Sequence, residues 1–194
     1  MADAGERPVG GAPAPGAGGE RPGRALARNA VVLTAVGTLW IALDLATKAW
    51  FNQFPPGTVV GGPLLGLVRL RVVHNTGGAW GVLDGATVLL GILAVIVCSA
   101  LLVYVLVFAR RATLAEVIGA TLVFAGGVGN AVDRFTLGYV VDFIDPVFID
   151  FPTFNIADIG VTCGFVIFIV ALARRWRREE RAQAAAAGDG AGRP

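Results

Sequence analysis

Few kinds of side chain in this sequence could catalyse a reaction. Ser99, Lys48 and His74 are the only serine, lysine and histidine. Ser99 lies inside one long apolar run and Lys48 near the end of another, at opposite depths if both runs cross a membrane, so geometry excludes a Ser-Lys dyad. One histidine without an HExxH pattern is a weak case for zinc. We therefore expect neither a metal nor another cofactor.

Carboxylates are the remaining acid and base groups. The candidates at one end of the apolar runs are Asp44, Asp84, Asp133, Asp142, Asp145, Asp150 and Asp158. Two carboxylates can hydrolyse a peptide bond if they share one proton, because the ionised member activates water and the protonated member polarises the carbonyl. Closeness and removal from water keep one of them protonated near neutral pH. Spacing alone does not select the pair.

Each candidate also has a structural explanation. Asp44 and Lys48 are spaced i,i+4, which suits an ion pair on one helical face. Asn155 and Asp158 have the spacing of a helix N-cap and its partner three residues later. Asp142 lies in the strand-like run YVVDFID and could be an edge residue facing water, although its apolar neighbours favour burial. Both kinds of interpretation stay open for these residues.

A third polar group closes the third apolar run and consists of Asn130, Asp133 and Arg134. A hydrogen-bond network at a helix end would explain it. Ionisable groups near hydrocarbon are costly, however, and usually mark a cavity or a mutual pair. Polar residues at the same end of several runs therefore predict one shared pocket.

The apolar runs that position these residues indicate an all-α membrane protein. The chain has 194 residues, of which 55% are hydrophobic and 15% charged. Four runs are long enough to cross about 30 Å of hydrocarbon as helices, at residues 29–51, 86–109, 114–132 and 156–173. We expect a four-helix membrane domain over residues 29–176. Residues 1–28 and 177–194, rich in Ala, Gly and Arg, are expected to be disordered cytoplasmic tails.

Arginine clusters predict the orientation of these spans. Positive charge is enriched on the cytoplasmic side, and the clusters flank the runs at Arg21, Arg24, Arg28, Arg110, Arg111, Arg174, Arg175, Arg177 and Arg178. Both termini are therefore expected in the cytoplasm of a multi-pass protein, and the polar pocket at the extracytoplasmic face. The net charge of +2 is small, and it suggests no nucleic-acid partner.

The two longer connections predict the rest of the fold. In LVRLRVVHN, apolar residues alternate with Arg69 and Arg71, which favours a strand in a small extracytoplasmic sheet. Gly61, Gly62 and Pro63 are expected to form turns before it. The connection at residues 135–151 is expected to lie over the site as a loop. Both cysteines, at positions 98 and 163, lie in apolar runs and are expected to be buried without a disulfide.

Four blocks of sequence, DLATK, HNTGGAWG, GGVGNAVDRFTLGYVVDF and FNIAD, resemble the signature of lipoprotein signal peptidases, which are also called signal peptidase II. The resemblance implies that Asp142 and Asp158 are the catalytic pair of an aspartic peptidase. It also implies pocket residues that order the site or bind substrate, namely Asp44, Lys48, Asn75, Gly78, Asn130, Asp133, Arg134 and Asn155. The block HNTGGAWG departs from the family, which often has Ala and Phe where this chain has Gly78 and Trp80.

The same resemblance implies a substrate and a location. The substrate is a prolipoprotein whose cysteine carries diacylglycerol, cleaved just before that cysteine, and the enzyme is a bacterial cell-membrane protein in contact with lipid. We expect a monomer. Two other classes are compatible with the residues alone: a proton-coupled transporter, whose polar groups tend to lie near the bilayer midplane, and a non-catalytic membrane scaffold.

Overall fold

Four long apolar helices form the body of the protein. The computed structural model describes residues 22–191, in which the α-helices are α1 (Pro22–Phe51), α2 (Thr87–Val103), α3 (Leu114–Thr136) and α4 (Ile156–Ala191). All four are long and apolar enough to cross a membrane. The prediction of four spans is confirmed.

Helix α3 is the centre of the bundle, because it packs against α1, α2 and α4. In α3, more than half of the most apolar 18-residue stretch is buried inside the protein, whereas the buried share of the corresponding stretch is 11% to 17% in the other three helices. The exposed apolar side chains of α1, α2 and α4 suit contact with lipid, since hydrocarbon is as apolar as these side chains. A helix in such a position brings the ends of its three neighbours together.

Glycines allow α3 and α4 to lie close together. A Cβ on Gly119 would lie 2.6 Å from the Phe168 backbone nitrogen and 2.7 Å from the Gly164 carbonyl oxygen. A Cβ on Gly164 would lie 2.7 Å from the Gly119 carbonyl oxygen. Small residues at such positions are the usual means of close packing between membrane helices.

A small antiparallel sheet covers one end of the bundle, which we call the sheet end. It consists of β1 (Val59–Leu64), β2 (Val68–Asn75) and β3 (Val140–Pro146), in the order β1-β2-β3. The buried residues Phe51, Val72, Val141 and Phe143 pack beneath it, and the Phe51 and Phe143 rings stack at 4.0 Å. This apolar contact fixes the sheet against the end of α1.

The sheet also corrects two expectations. Strand β2 is confirmed, but Gly61, Gly62 and Pro63 lie in β1 rather than in turns; β1 accommodates them through register shifts against β2. The connection expected to lie over the site contains β3, which is fixed in the sheet. Residues 137–139 before β3 and residues 147–153 after it remain loop.

Both ends of the helical body extend further than expected. Helix α1 begins at Pro22, and α4 continues to Ala191, so residues 22–28 and 177–191 are helical where disorder was expected. The segment RREERAQAAAA consists of strong helix formers that prolong an existing helix without a new nucleation cost. The remaining tail residues, 1–21 and 192–194, lie outside the described residues.

The opposite end of the bundle is held by buried polar contacts. The Asn29 amide donates to the carbonyl oxygens of Val105 and Ala109 at 3.1 and 3.0 Å, where α2 ends in a π-helical turn and a 3-10 turn. Glu116 caps α3 together with Thr113, and Arg175 Nε lies 3.1 Å from the Glu116 carboxylate.

We expect Gly119→Ala to destabilise the protein, because the added methyl group meets the α4 backbone. Overpacking of this kind costs about 1–3 kcal/mol. Thermal unfolding in detergent measures the loss. The matched control is Gly23→Ala in α1, where a Cβ has no atom within 4 Å; equal melting temperatures for the two variants would contradict the close packing of α3 and α4.

Candidate active site

Five segments of the chain contribute residues to one site at the sheet end. The end of α1 contributes Asp44 and Lys48; β2 contributes Asn75, and the following loop Gly78; the end of α3 contributes Asn130, Asp133 and Arg134; β3 contributes Asp142; and the start of α4 contributes Asp158, with Asn155 just before it. All ten residues predicted from the sequence therefore meet at this end.

Asp142 lies on the face of β3 opposite the apolar cluster, because side chains alternate along a strand. It is 2% exposed. Its Oδ1 accepts a hydrogen bond from Asn155 Nδ2 at 2.7 Å, and its Oδ2 accepts one from Asn75 Nδ2 at 2.9 Å. Burial, together with the negative charge of Asp158, raises the pKa of Asp142 to about 7. Asp142 is thus buried, as its apolar neighbours favoured, although β3 is an edge strand of the sheet.

Asp158 is half-buried in the first turn of α4. Its Oδ2 accepts from the Asn155 backbone N–H at 3.1 Å, while Asn155 Oδ1 accepts from the Asp158 backbone N–H at 3.0 Å. This reciprocal pair is the helix cap expected from the spacing. The cap occupies only one carboxylate oxygen, and the other accepts from Asn130 Nδ2 at 2.8 Å. Capping and participation in the site are therefore compatible.

The side chain of Asn155 joins the two carboxyl groups. Because its Oδ1 is used by the helix cap, its Nδ2 must face the other way, toward Asp142. Asn75 is oriented in a similar manner, since its Oδ1 accepts from the Gly77 backbone N–H at 2.9 Å and leaves Nδ2 for Asp142. The amides thus present donors to the carboxylates.

Lys48 orients the third amide. Its ammonium, 2% exposed, donates to Asn130 Oδ1 at 2.8 Å. An ammonium group has no acceptor, so Asn130 must direct Nδ2 away from Lys48, toward Asp158. The same ammonium lies 2.8 Å from Asp44 Oδ2 and 3.5 Å from Asp133 Oδ2, which confirms the i,i+4 ion pair.

The two carboxylates behind Lys48 attach the site to the backbone of its neighbours. Asp44 Oδ1 accepts from the Ala157 N–H at 2.8 Å, which links α1 to the start of α4. Asp133 Oδ2 accepts from the Val141 N–H at 3.0 Å, which links α3 to β3. The segments before Asp158 and beside Asp142 are thereby positioned relative to one another.

A cavity of about 420 Å³ contains both carboxylates. Its polar wall includes Asn75, Gly78, Asn130 and Arg134 besides Asp142 and Asp158, and its apolar wall includes Phe151, Phe154, Ile159 and Val161. Arg134 donates to the carbonyl oxygens of Asn130 and Gly77 at 3.3 and 3.2 Å. Such a cavity can hold a peptide and a water molecule beside two carboxyl groups of unequal environment.

The other acidic candidates lie apart from this pair. Asp145 accepts hydrogen bonds from Arg69 and Arg71; burial opposes ionisation, but these two partners lower the pKa of Asp145 overall. Asp84 accepts from the Thr76 hydroxyl, and Asp150 is exposed. Within residues 22–191, no group of three or more His, Cys, Asp or Glu side chains could hold a metal ion.

Several residues of the cavity wall were not predicted from the sequence. They are Ala79, Val140, Phe151, Pro152, Thr153, Phe154, Ile159, Val161, Thr162 and Cys163. Cys163, expected to be buried, is exposed, whereas Cys98 is buried as expected. Helical spacing could have indicated part of this wall, because Thr162 lies one turn after Asp158 and Cys163 one turn after Ile159.

Comparison with known families settles the class to which this arrangement belongs. The family model described as "Signal peptidase (SPase) II" matches residues 36–174, a range that includes all ten residues. The chain belongs to the signal peptidase II family. It is 38% identical to the lipoprotein signal peptidase of Enterococcus faecalis, over 75% of this chain and 92% of that one. Against the lipoprotein signal peptidase of Nostoc punctiforme, the identity is 39% over 68% and 87% of the two chains.

Solved structures agree with this membership of the signal peptidase II family. A structure titled as a bacterial membrane enzyme, at 2.3 Å resolution, superposes with a TM-score of 0.68 and 32% identity. The superposition covers 73% of this chain and 87% of the other. A second such structure, at 1.9 Å, gives a TM-score of 0.64 with the same identity.

The raised pKa of Asp142 predicts a pH-dependent cost in stability. The unfolded chain ionises this residue near pH 3.8 and the folded chain near pH 7. The contribution of Asp142 to the free energy of unfolding is therefore fully present below pH 3.8, and it is lost as the pH rises through 7. A tenfold change in the ionisation constant corresponds to about 1.4 kcal/mol. We expect the stability of Asp142→Asn relative to wild type to rise between pH 5 and pH 8 in thermal unfolding. Parallel pH curves for Asp142→Asn and wild type would contradict this; Asp150→Asn, at an exposed position, is the control.

We also expect Lys48→Met to destabilise the fold, because it leaves Asp44 and Asp133 buried without their cation. Removing one partner of a buried ion pair typically costs about 3–5 kcal/mol. Denaturant unfolding measures the loss, with Arg110→Met at an exposed position as the control. A loss no larger than that of the control would show that Lys48 does not hold the site together.

Proposed function

We propose that this protein is an aspartic endopeptidase that removes the signal peptide from prolipoproteins, with Asp142 and Asp158 as its catalytic pair. The family assignment supports the removal of lipoprotein signal peptides. One observation supports the aspartic mechanism: the two carboxyl groups share a cavity and a common hydrogen-bond partner, Asn155.

The two carboxyl groups take different roles in this mechanism. Asp158 lies in the first turn of α4, where its two oxygens accept hydrogen bonds from Asn155 and Asn130, and it is the more exposed member of the pair. Asp142 is buried, and its pKa of about 7 keeps a substantial fraction of it protonated at neutral pH. Asp158 is therefore the base that activates water, and Asp142 the acid that polarises the scissile carbonyl.

Hydrolysis then follows from these roles. Asp158 accepts a proton from water while the water oxygen bonds to the carbonyl carbon, and Asp142 transfers its proton to the carbonyl oxygen. When the tetrahedral intermediate collapses, the C–N bond breaks and the leaving nitrogen receives the proton held by Asp158. Asp142 recovers its proton from the intermediate's hydroxyl group, which restores the starting state of the pair.

The proposed substrate is a prolipoprotein with a diacylglyceryl cysteine, cut just before that cysteine. The cavity wall formed by Ile159, Val161 and Cys163 lies on α4, one of the candidate membrane spans. A signal helix and acyl chains in the bilayer can therefore reach the carboxylates from the lipid side. The enzyme acts as a monomer in contact with membrane lipids, without cofactor, metal or nucleic acid.

The orientation proposed from the arginine distribution suits this substrate. Arg110 and Arg111 follow α2, and Arg174 and Arg175 lie in α4 well beyond Ile156 at the sheet end. Cytoplasmic placement of these residues puts both termini in the cytoplasm and the active site at the extracytoplasmic face of the cell membrane. Lipoproteins that have crossed the membrane then meet the site where they emerge.

The alternatives from the sequence fit the site less well. A proton-coupled transporter usually places polar groups near the bilayer midplane, whereas these residues lie at the sheet end. A scaffold needs no pair of carboxyl groups open to a cavity. The comparisons favour neither alternative.

Replacement of either catalytic aspartate by asparagine should abolish processing, because asparagine can neither ionise nor transfer the shared proton. For Asp142→Asn and Asp158→Asn we expect losses in kcat of at least about 10³-fold, as for other residues that act as a unit. The assay follows cleavage of a diacylglyceryl-modified prolipoprotein in detergent or vesicles. Asp150→Asn makes the same chemical change at an exposed position and should leave the rate near that of wild type.

Retained cleavage by both variants, with thermal unfolding like that of wild type, would refute the catalytic assignment. Loss of cleavage together with loss of folding would show a structural role instead. Because asparagine preserves the size of the side chain and one of its two acceptor oxygens, we expect both variants to insert and fold.

A further inference from the structure

A second cavity adjoins the one that contains the catalytic pair. Its volume is about 340 Å³, and it shares Asn75, Gly78, Asp142, Pro152 and Thr153 with the first cavity. The two cavities therefore meet at a shared wall that includes Asp142. A polypeptide whose scissile bond lies beside Asp142 has one cavity on each side of that bond.

The two cavities differ in what surrounds them. The first extends along α4, past Ile159 and Cys163. The second is bounded by β2 and by the loop that follows it, and its wall includes Arg71, Thr76 and Asp84. One cavity therefore continues toward the membrane span, and the other lies among the loops and strands of the sheet end.

We propose that the second cavity binds the polypeptide that follows the cleaved bond, while the first binds the end of the signal peptide. This inference rests on the proposed function. The part of the substrate before the bond belongs to a membrane-spanning helix, so it must approach along the wall that faces the bilayer. The lipid on the cysteine just after the bond stays in the bilayer, but the polypeptide beyond that cysteine leaves the membrane, and the second cavity is its polar continuation.

The register of the sheet supports a binding role for β2. Val73 is the cross-strand partner of Asp142, and directly opposed residues project their side chains to the same face of a sheet. Asn75, two residues later, lies on that face as well and donates to Asp142. A peptide bound beside Asp142 on this face therefore lies against Val73.

Several polar groups of the second cavity already have hydrogen-bond partners, whereas His74 Nε2 in its wall is buried without one among the described residues. Arg71 Nε donates to Asp145 at 2.9 Å, and the Thr76 hydroxyl donates to Asp84. A charged side chain would have to compete with these contacts, and a bulky one would have to displace the wall. The cavity thus suits small, uncharged residues in an extended chain.

An aromatic contact connects the walls of the two cavities. Trp80 lines the second cavity and Phe151 lines the first. Their rings meet edge to face, with centroids 5.7 Å apart, across two different loops.

The test compares two variants that narrow one cavity each. Val73→Phe reduces the second cavity, and Cys163→Phe reduces the first; neither residue belongs to the catalytic pair. The substrates are diacylglyceryl prolipoproteins with Gly or Phe at the residue just after the modified cysteine, and a parallel pair with Gly or Phe two residues before the cut.

We expect Val73→Phe to lower kcat/KM for the substrate with Phe after the cysteine at least about tenfold more than for its Gly counterpart, since one misfit apolar group is worth about that much. It should not alter the preference before the cut. Cys163→Phe should show the reverse pattern. Equal losses on all substrates, or a change of preference on the opposite side of the bond, would overturn the inference.

A second readout serves if Val73→Phe does not fold. Haloacetyl groups are placed on the substrate, either after the modified cysteine or before the cut, and mixed with Asp142→Asn protein. The group after the cysteine should alkylate Val73→Cys in a Cys163→Ala background, and the group before the cut should alkylate native Cys163. The opposite pattern would refute the inference. A wild-type enzyme that cleaves none of the substrates would instead refute the proposed function, so the two failures are distinguishable.

Discussion

Two carboxyl groups in one partly dry cavity repel each other, and most of the polar structure at the sheet end can be understood as the means of holding them there. Burial and the charge of Asp158 raise the pKa of Asp142 to about 7. The amide of Asn155 bonds to Asp142, its backbone N–H bonds to Asp158, and its orientation is set by the α4 cap. Lys48 in turn orients the amide of Asn130 toward Asp158. The same groups that stabilise the pair therefore make its two members chemically different.

This arrangement requires five chain segments to meet at one point. The contact between α3 and α4 at Gly119 and Gly164 brings Asn130 close to the start of α4. Asp133 fixes β3 through the Val141 N–H, and Asp44 fixes α4 through the Ala157 N–H. The packing of the spans thus determines the geometry of the site. The family match over residues 36–174 includes both the spans and the site.

Local patterns in the sequence are sufficient for much of the structure. The four spans, strand β2, the Asp44–Lys48 pair and the cap formed by Asn155 and Asp158 depend on residues close together in the chain. They are all confirmed. Elimination, however, leaves seven carboxylates, and the choice of Asp142 and Asp158 comes from resemblance to a family. Contacts such as the one between Asn75 and Asp142 join distant segments, and no local period reveals them. Three other features were not predicted because local composition does not determine them. Strand β1 depends on pairing in the sheet, the exposure of Cys163 on the packing of α4, and the helical end of α4 on the propagation of an existing helix.

The proposed mechanism depends on one proton that Asp142 and Asp158 share while the peptide bond is cut. The pH dependence of kcat/KM for a diacylglyceryl prolipoprotein tests it most directly. We expect a bell-shaped profile whose alkaline limb falls near pH 7, because the enzyme loses the proton of Asp142 there. A rate that continues to rise through pH 8 would contradict the shared proton, since a fully ionised pair would then be the active form.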